Sequence, residues 1–136
     1  MNWTLEVVVV PVSDVDRAKA FYADQLGFHV DHDTRASEDF RVVQLTPPGS
    51  GCSIVIGTGV APEMAPGSLK GLQLVVPDIR KARAELAHRG VDVGEVQVLG
   101  ESRTPTLDPL DNVGFLFFND PDGNAWAVQQ ISARGR

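Results

Sequence analysis

Cysteine is nearly absent from this chain, which carries a single one, Cys52, among its 136 residues. A lone cysteine excludes an internal disulfide and favours a reducing compartment. No histidine stands close to Cys52 in the sequence to activate its thiol. We therefore interpret Cys52 as a small packed side chain and not as a nucleophile.

Long apolar runs and an excess of positive charge are also missing. No stretch approaches the roughly 18 apolar residues that a membrane helix needs, and no basic, then apolar, signal pattern opens the chain. We therefore expect a cytoplasmic protein with no membrane partner. The formal net charge of −6 argues against a nucleic-acid partner, because such a surface needs clustered Lys and Arg, and it mildly favours a neutral or cationic ligand.

One strand-and-helix pattern occurs twice in the chain. An apolar run at 5–12 leads to Asp14, and a mostly apolar run at 72–76 leads to Asp78, which stands 64 positions later (78 − 14). A fixed internal period of this size indicates two copies of one supersecondary unit. Because 136 residues are too few for two independent cores, we expect the copies to form one domain.

Each copy continues with a predicted helix that has marked ends. Apolar residues recur at three- and four-residue spacing over 15–26 and 79–86, the period of a helix with one buried face. The carboxylates of Asp14 and Asp78 are placed to accept hydrogen bonds from unpaired N–H groups of the first turn. Glycine, which adopts a left-handed conformation cheaply, follows both helices, as Gly27 and Gly90.

Three further strands are predicted after each helix, from β-branched and apolar runs bounded by turns. A linker is predicted at 59–67, and 100–112 is the longest loop between strands; loops of that length often cover a binding site. The predicted strands lie at 28–33, 40–46, 52–57, 91–99, 113–119 and 125–131.

The order strand, helix, strand, strand, strand, performed twice, resembles the vicinal oxygen chelate superfamily, which includes glyoxalases, bleomycin resistance proteins and extradiol dioxygenases. The resemblance is carried by Val-Ser-Asp-Val-Asp-Arg-Ala-Lys-Ala-Phe-Tyr at 12–22, by Leu-Gly-Phe at 26–28 and by Asp-Pro-Asp-Gly-Asn at 120–124. It implies an α+β fold of two tandem βαβββ modules, about 3–58 and 68–132, forming one cleft within a single domain, 1–136. It also implies a homodimer.

The resemblance further implies a divalent metal held by the first and last strands of each module. Carried onto this sequence, these positions fall on Val7, Val55, Leu72 and Ala127. None of these side chains offers the oxygen or nitrogen that a hard cation requires, so we expect no metal and no other cofactor.

The three histidines give no better metal site. His88 falls near the end of the second helix, where an exposed residue is expected. His29 and His32 are three apart in a predicted strand, so alternation should place them on opposite faces. His29, Asp31 and Asp33 should share one face, but they are expected to form a polar strand edge.

A small-molecule site is expected in the cleft, lined by apolar residues with a few polar groups. The candidates for orienting a ligand are Gln44, Gln129, Arg103 and Trp126, and each has a structural alternative. Trp126 could be a core residue and Arg103 a solvated loop residue, whereas the strand register decides which face Gln44 and Gln129 occupy. The inward lining also takes in Leu5 and Ala125, whereas a dry core is the alternative for the apolar set. The residues predicted to bind ligand are Val7, Val9, Gln44, Val55, Leu72, Leu74, Arg103, Trp126, Ala127 and Gln129.

Two functional classes follow. The first is a metal-independent binding protein of the bleomycin-resistance type that sequesters an antibiotic or another amphipathic metabolite. The alternative is an enzyme, a lyase, isomerase or dioxygenase, that uses a displaced metal or cofactor-free chemistry; its catalytic residues would then be sought among Glu101, Arg103, Asp108 and Asp111. A scaffold whose dimer surface matters more than its cleft is a third reading.

Overall fold

The computed structural model describes residues 1–101 and 108–134. Contacts divide the chain into two compact units, unit 1 (1–69 with 120–124) and unit 2 (70–119 with 125–136). Each unit contains one four-stranded sheet and one principal helix, so the fold is two βαβββ modules, as the sequence predicts. In this part of the chain, no helix combines the length and apolar character needed to cross a membrane.

The elements of unit 1 are β1 (Val7–Val9), α1 (Val15–Ala20), β2 (His29–Ser37), β3 (Phe40–Thr46) and β4 (Ser53–Thr58). Its mixed sheet has the strand order β1-β4-β3-β2, in which β1 and β4 are parallel. Its helix begins as α1 and continues as one turn of π-helix at Phe21–Gln25. The Asp14 carboxylate accepts from the backbone N–H of Arg17 at 3.1 Å, which confirms the predicted cap.

The elements of unit 2 are β5 (Leu72–Val76), α2 (Ile79–His88), β6 (Gln97–Val98), β7 (Gly114–Asn119), β8 (Ala125–Gln130) and a 3₁₀ turn (Ser132–Arg134). Its sheet repeats the arrangement of unit 1 with the strand order β5-β8-β7-β6, in which β5 and β8 are parallel. Asp78 caps the helix by accepting from the N–H of Lys81 at 3.1 Å, and Gly90 ends the helix with φ 84°.

Two predicted strands are shorter than expected. The first begins at Val7, and Leu5 is 68% exposed ahead of it, so Leu5 is not a lining residue of the sheet. The strand predicted at 91–99 is reduced to two residues. Its first half is irregular and is tied to the end of the helix instead, because the Val91 N–H bonds back to the Leu86 carbonyl and the Arg83 guanidinium binds the Gly94 carbonyl.

The Asp-Pro-Asp-Gly-Asn turn between β7 and β8 belongs to unit 1, where it is fixed by buried polar groups. The Asp120 carboxylate accepts from the Tyr22 hydroxyl at 2.7 Å and from the Asn124 amide at 2.7 Å. Asn124 is fully buried; it also donates to the Pro11 carbonyl at 2.8 Å and accepts from the Leu69 N–H at 3.1 Å. The sequence motif is therefore a structural anchor within unit 1.

Candidate ligand-binding faces

Each sheet has one face packed against its own helix and one face directed away from it, which we call the distal face. In unit 1, Arg41 marks the helix side, because its guanidinium binds Asp16 of α1 at 2.8 Å. In unit 2, Gln130 marks it, because its Oε1 accepts from the first N–H of α2, that of Ile79, at 3.0 Å. Side chains alternate between the two faces along each strand, so the strand register assigns all the remaining side chains to one face or the other.

Four predicted ligand residues of unit 1 share its distal face. Val9 lies beside Val55, and Val55 lies beside Gln44, so these three form one row across β1, β4 and β3. Val7 occupies the next row on the same face, beside Ser53. The row is apolar apart from the half-buried Gln44, which provides the amide that a ligand would meet there.

The two histidines of β2 were assigned to opposite faces, and this prediction is wrong. His29 lies opposite Thr46 and His32 opposite Gln44, two residues along β3, so both belong to the distal face. A register shift at Asp31, between Val30 and His32, adds a residue to β2 and reverses the alternation.

Asp33 was expected to share the face of His29 and Asp31, and this is also wrong. The same irregularity in β2 turns Asp33 to the helix side, where it accepts two hydrogen bonds from Arg41 at 2.8 and 3.0 Å and one from Lys19 at 2.9 Å. These cations hold the pKa of Asp33 well below its usual range, with the Arg41 bonds the larger cause. The cluster joins β2 and β3 to α1 and is structural.

Three predicted ligand residues of unit 2 lie on its helix side instead. Leu72 is paired with Trp126 and Leu74 with Val128, so both leucines lie on the helix side, whereas Ala127 lies on the distal face. Trp126 is 3% exposed and its ring is stacked on Phe118 at a centroid distance of 6.0 Å. Leu72 and Leu74 share one face of β5, as predicted, but that face is covered by the helix.

The distal face of unit 2 combines two phenylalanines and other apolar side chains with glutamines. Gln73 and Phe117 flank Ala127 in one row, while Val75 and Phe115 flank Gln129 in the next. Phe117 is 41% exposed, and its ring lies nearly parallel to that of Phe115, with an interplanar angle of 10° and centroids 6.4 Å apart.

Sequence reasoning missed Gln73, Phe115 and Phe117. A signal for the phenylalanines was present, since Phe115 and Phe117 alternate with Leu116 and Phe118 and so had to occupy the other face of the strand. Alternation alone did not say which of these two faces the helix would cover.

Two glutamines form a hydrogen-bonded pair on this distal face. Gln73 donates through Nε2 to Oε1 of Gln129 at 2.7 Å, and Gln129 donates through Nε2 to the backbone carbonyl of Asn112 at 2.8 Å. Asn112 has φ 68°, a left-handed conformation that asparagine tolerates better than most residues. The predicted residues Gln129 and Ala127 thus share a surface with the phenylalanines.

The acidic residues suggested for an enzyme are engaged in structural hydrogen bonds. Asp108 accepts from the Leu110 N–H at 2.9 Å, from Gln130 at 3.0 Å and from Arg80 at 3.1 Å, and these bonds lower its pKa to about 2. Asp111 accepts from Ser132 and from Gln130, which also lowers its pKa.

Of the other loop residues suggested for chemistry, Glu101 is exposed, whereas Arg103 lies outside the described residues. Both described aspartates bond to Gln130, which faces the helix, so neither carboxylate is directed to the distal face.

A pocket of about 210 Å³ lies elsewhere in unit 1, where β1 leads into α1. Prolines and small residues line it, together with Met64, and none of the ten residues predicted to bind ligand is among them. Ser13 and Thr58 are the polar side chains in this lining, and the Ser13 hydroxyl is bound to Asp122.

Comparison with known proteins agrees with this architecture. A model of the glyoxalase/bleomycin resistance protein/dioxygenase superfamily matches residues 4–128, which is nearly the whole chain. The chain belongs to this superfamily. The resemblance found in the sequence is confirmed, and so is its fold of two βαβββ modules.

Several relatives of this superfamily member have solved structures. TnmS3, an antibiotic-binding protein from Streptomyces sp. CB03234, is 34% identical, with a TM-score of 0.74 over 96% of this chain and 98% of its own. A glyoxalase/bleomycin resistance protein from the same source is also 34% identical, with a TM-score of 0.71 over 93% and 100% of the two chains. By sequence alone, the chain is also similar to YwkD, an uncharacterized protein of Bacillus subtilis, with 28% identity over 85% of this chain and 87% of YwkD.

The side chains of this superfamily member do not fit the divalent metal that the resemblance implies. Leu72 lies on the helix side and is not the counterpart of Val7. Counted back from the helix cap, the counterpart is Gly71, seven residues before Asp78 as Val7 is before Asp14, and it has no side chain. The first side chain of β5 on the distal face is that of Gln73. An amide is a weak neutral ligand, and Val55 and Ala127 offer no donor atom. Among residues 1–101 and 108–134, no three His, Cys, Asp or Glu side chains are grouped to hold a metal ion.

Proposed function

We propose that the protein is a small-molecule-binding protein that sequesters a flat aromatic or amphipathic compound, such as an antibiotic, on its distal faces. The observation that carries the proposal is the nearly parallel pair of the half-buried Phe115 and the exposed Phe117, beside two glutamine amides. Aromatic faces provide large contact area to a flat ligand, and a few fixed amides provide its orientation.

Similarity supports the same class of function. TnmS3, whose chain is covered almost completely at 34% identity, is an antibiotic-binding protein. The acidic balance of the present chain, with a net charge of −6, suits a ligand that carries a positive charge or none. On the distal face of unit 1, Val7, Val9, Gln44 and Val55 are the residues that we propose take part in binding.

In this proposal, binding needs no metal, because the candidate ligand positions carry valine, alanine, glycine and an amide. The half-buried thiol of Cys52 suits the cytoplasm. We also propose a homodimer, as the resemblance to this superfamily implies. Light scattering tests the dimer directly.

Isothermal titration of 9-aminoacridine, a flat aromatic cation, tests the binding surface. Phe117→Ala should weaken binding at least about fivefold, because truncation removes part of an aromatic surface worth roughly 1 kcal/mol or more. Val98→Ala is the control: Val98 is 59% exposed in the same unit but lies opposite Gly114, on the helix side.

Equal affinity of the wild-type protein and Phe117→Ala would reject this surface as the site. Equal losses in Phe117→Ala and Val98→Ala would show only nonspecific adsorption to exposed apolar groups. Trp126→Phe should lower stability without this loss of affinity, because Trp126 is buried on the other side of the sheet.

A further inference from the structure

We infer that Gln73 is a specificity-determining residue, which selects aromatic ligands that carry a hydrogen-bond donor, such as a ring hydroxyl or N–H, at the edge of the ring. The inference rests on the proposed function, since it assumes that a ligand occupies the distal face of unit 2. It goes further by assigning the chemical group that the ligand presents to the protein.

The orientation of both amides is set by a backbone carbonyl. The Asn112 carbonyl can only accept, so the Gln129 amide must direct Nε2 towards it, as it does at 2.8 Å. Oε1 of Gln129 then faces Gln73, which must donate through its own Nε2, at 2.7 Å. The chain of donors therefore has one direction, and it ends at Oε1 of Gln73.

This terminal oxygen remains available to a ligand. Gln73 is exposed, and its Oε1 accepts no hydrogen bond from the part of the chain that the structure describes. Neither oxygen can be exchanged with nitrogen by a simple flip of the amide, because a flipped Gln129 would place its oxygen against the Asn112 carbonyl. Gln73 thus presents an acceptor whose identity is fixed by the fold.

The position of Gln73 places this acceptor beside the aromatic surface. Gln73, Ala127 and Phe117 occupy one row across β5, β8 and β7. The small Ala127 separates the amide from the phenylalanine, so a flat ring over Ala127 would have Phe117 on one side and the amide on the other. Covering Gln73 without supplying a donor would leave its oxygen desolvated and unpaired, which is unfavourable.

The remaining N–H of Gln73 does not give the same selectivity. It can donate to an ether oxygen as well as to a hydroxyl oxygen, so it does not distinguish a phenol from its methyl ether. Only the acceptor makes that distinction. A donor group on the ligand is therefore the feature that Gln73 selects.

The test compares 2-naphthol with 2-methoxynaphthalene, which share one ring system and differ in the donor. Dissociation constants are measured by fluorescence titration of the full chain. The wild-type protein should prefer 2-naphthol by about three- to tenfold, the usual worth of one neutral hydrogen bond. Gln73→Met, which keeps the length of the side chain, should bind both probes with equal affinity.

Two further variants separate the acceptor from general effects. Gln129→Met removes the group that orients Gln73, so the preference should fall to an intermediate value. Gln97→Met is the control, because Gln97 is an exposed glutamine on the same face, opposite Phe115, and is outside the bonded pair; it should retain the full preference.

Binding of both probes by the wild-type protein without preference would overturn the assignment of Gln73 and leave the binding function standing. A preference that persists in Gln73→Met would overturn it too. Binding of neither probe by the wild-type protein would reject the proposed surface, and this inference with it.

Discussion

Asn124 is a buried polar side chain whose removal should clearly destabilise unit 1. It is fully buried, donates to the Pro11 carbonyl and the Asp120 carboxylate at 2.8 and 2.7 Å, and accepts from the Leu69 N–H at 3.1 Å. Asn124→Ala removes two neutral hydrogen bonds, each worth about 1 kcal/mol, and one to a charged group, worth about 1.5–3 kcal/mol. The free energy of unfolding should therefore fall by about 3–5 kcal/mol.

Urea denaturation followed by circular dichroism measures this loss. Asn119→Ala, at an exposed position of β7, is the matched control and should change stability by less than about 0.5 kcal/mol. Asn124→Asp keeps the size of the side chain but puts acceptors opposite the Pro11 carbonyl and Asp120, so it should destabilise at least as much as alanine. A loss below about 1 kcal/mol in Asn124→Ala would refute the view that this turn anchors unit 1.

Two further predictions concern the charged residues Asp108 and Arg41. The folded-state pKa of Asp108 is depressed to about 2, so the stability it contributes is present above its unfolded value of 3.8 and lost as pH falls from about 4 to 2. The melting temperature of Asp108→Asn should fall less over that range than that of the wild-type protein; parallel curves would contradict this. Arg41→Met should cost about 1–3 kcal/mol, because Asp33 keeps only Lys19, whereas the exposed Arg35→Met should cost little; equal urea midpoints would disprove the role of the cluster.

Much of the fold could be predicted because local chemistry determines it. Asp14 and Asp78 cap their helices through bonds within four residues, and Gly90 ends its helix in a left-handed conformation. These features do not depend on the rest of the chain. The repeat itself then indicated the order of the helix and strands along the chain in both modules.

The candidate surface could be predicted only in part, because it depends on which side of a sheet the helix covers. Alternation separated Leu72 and Leu74 from Gln73, but a strand with leucines on one face gives no sign of whether that face meets a helix or a ligand. In β2, one register shift at Asp31 changed the faces of His32 and Asp33. The irregularity is set by how β2 pairs with β3, and no residue pattern around Asp31 indicated it.

Ligand binding by protein from which metal has been removed shows whether this chain recognises aromatic compounds without a metal ion. The purified chain, without a histidine tag, is dialysed against EDTA, checked by elemental analysis and heated with flat aromatic antibiotics and 9-aminoacridine. A ligand at 100 times its dissociation constant stabilises the folded state by about 2.7 kcal/mol, so the melting temperature should rise by several degrees, and Phe117→Ala should diminish this rise. No shift with any compound at millimolar concentration, or a shift that appears only after a divalent metal is restored, would contradict it.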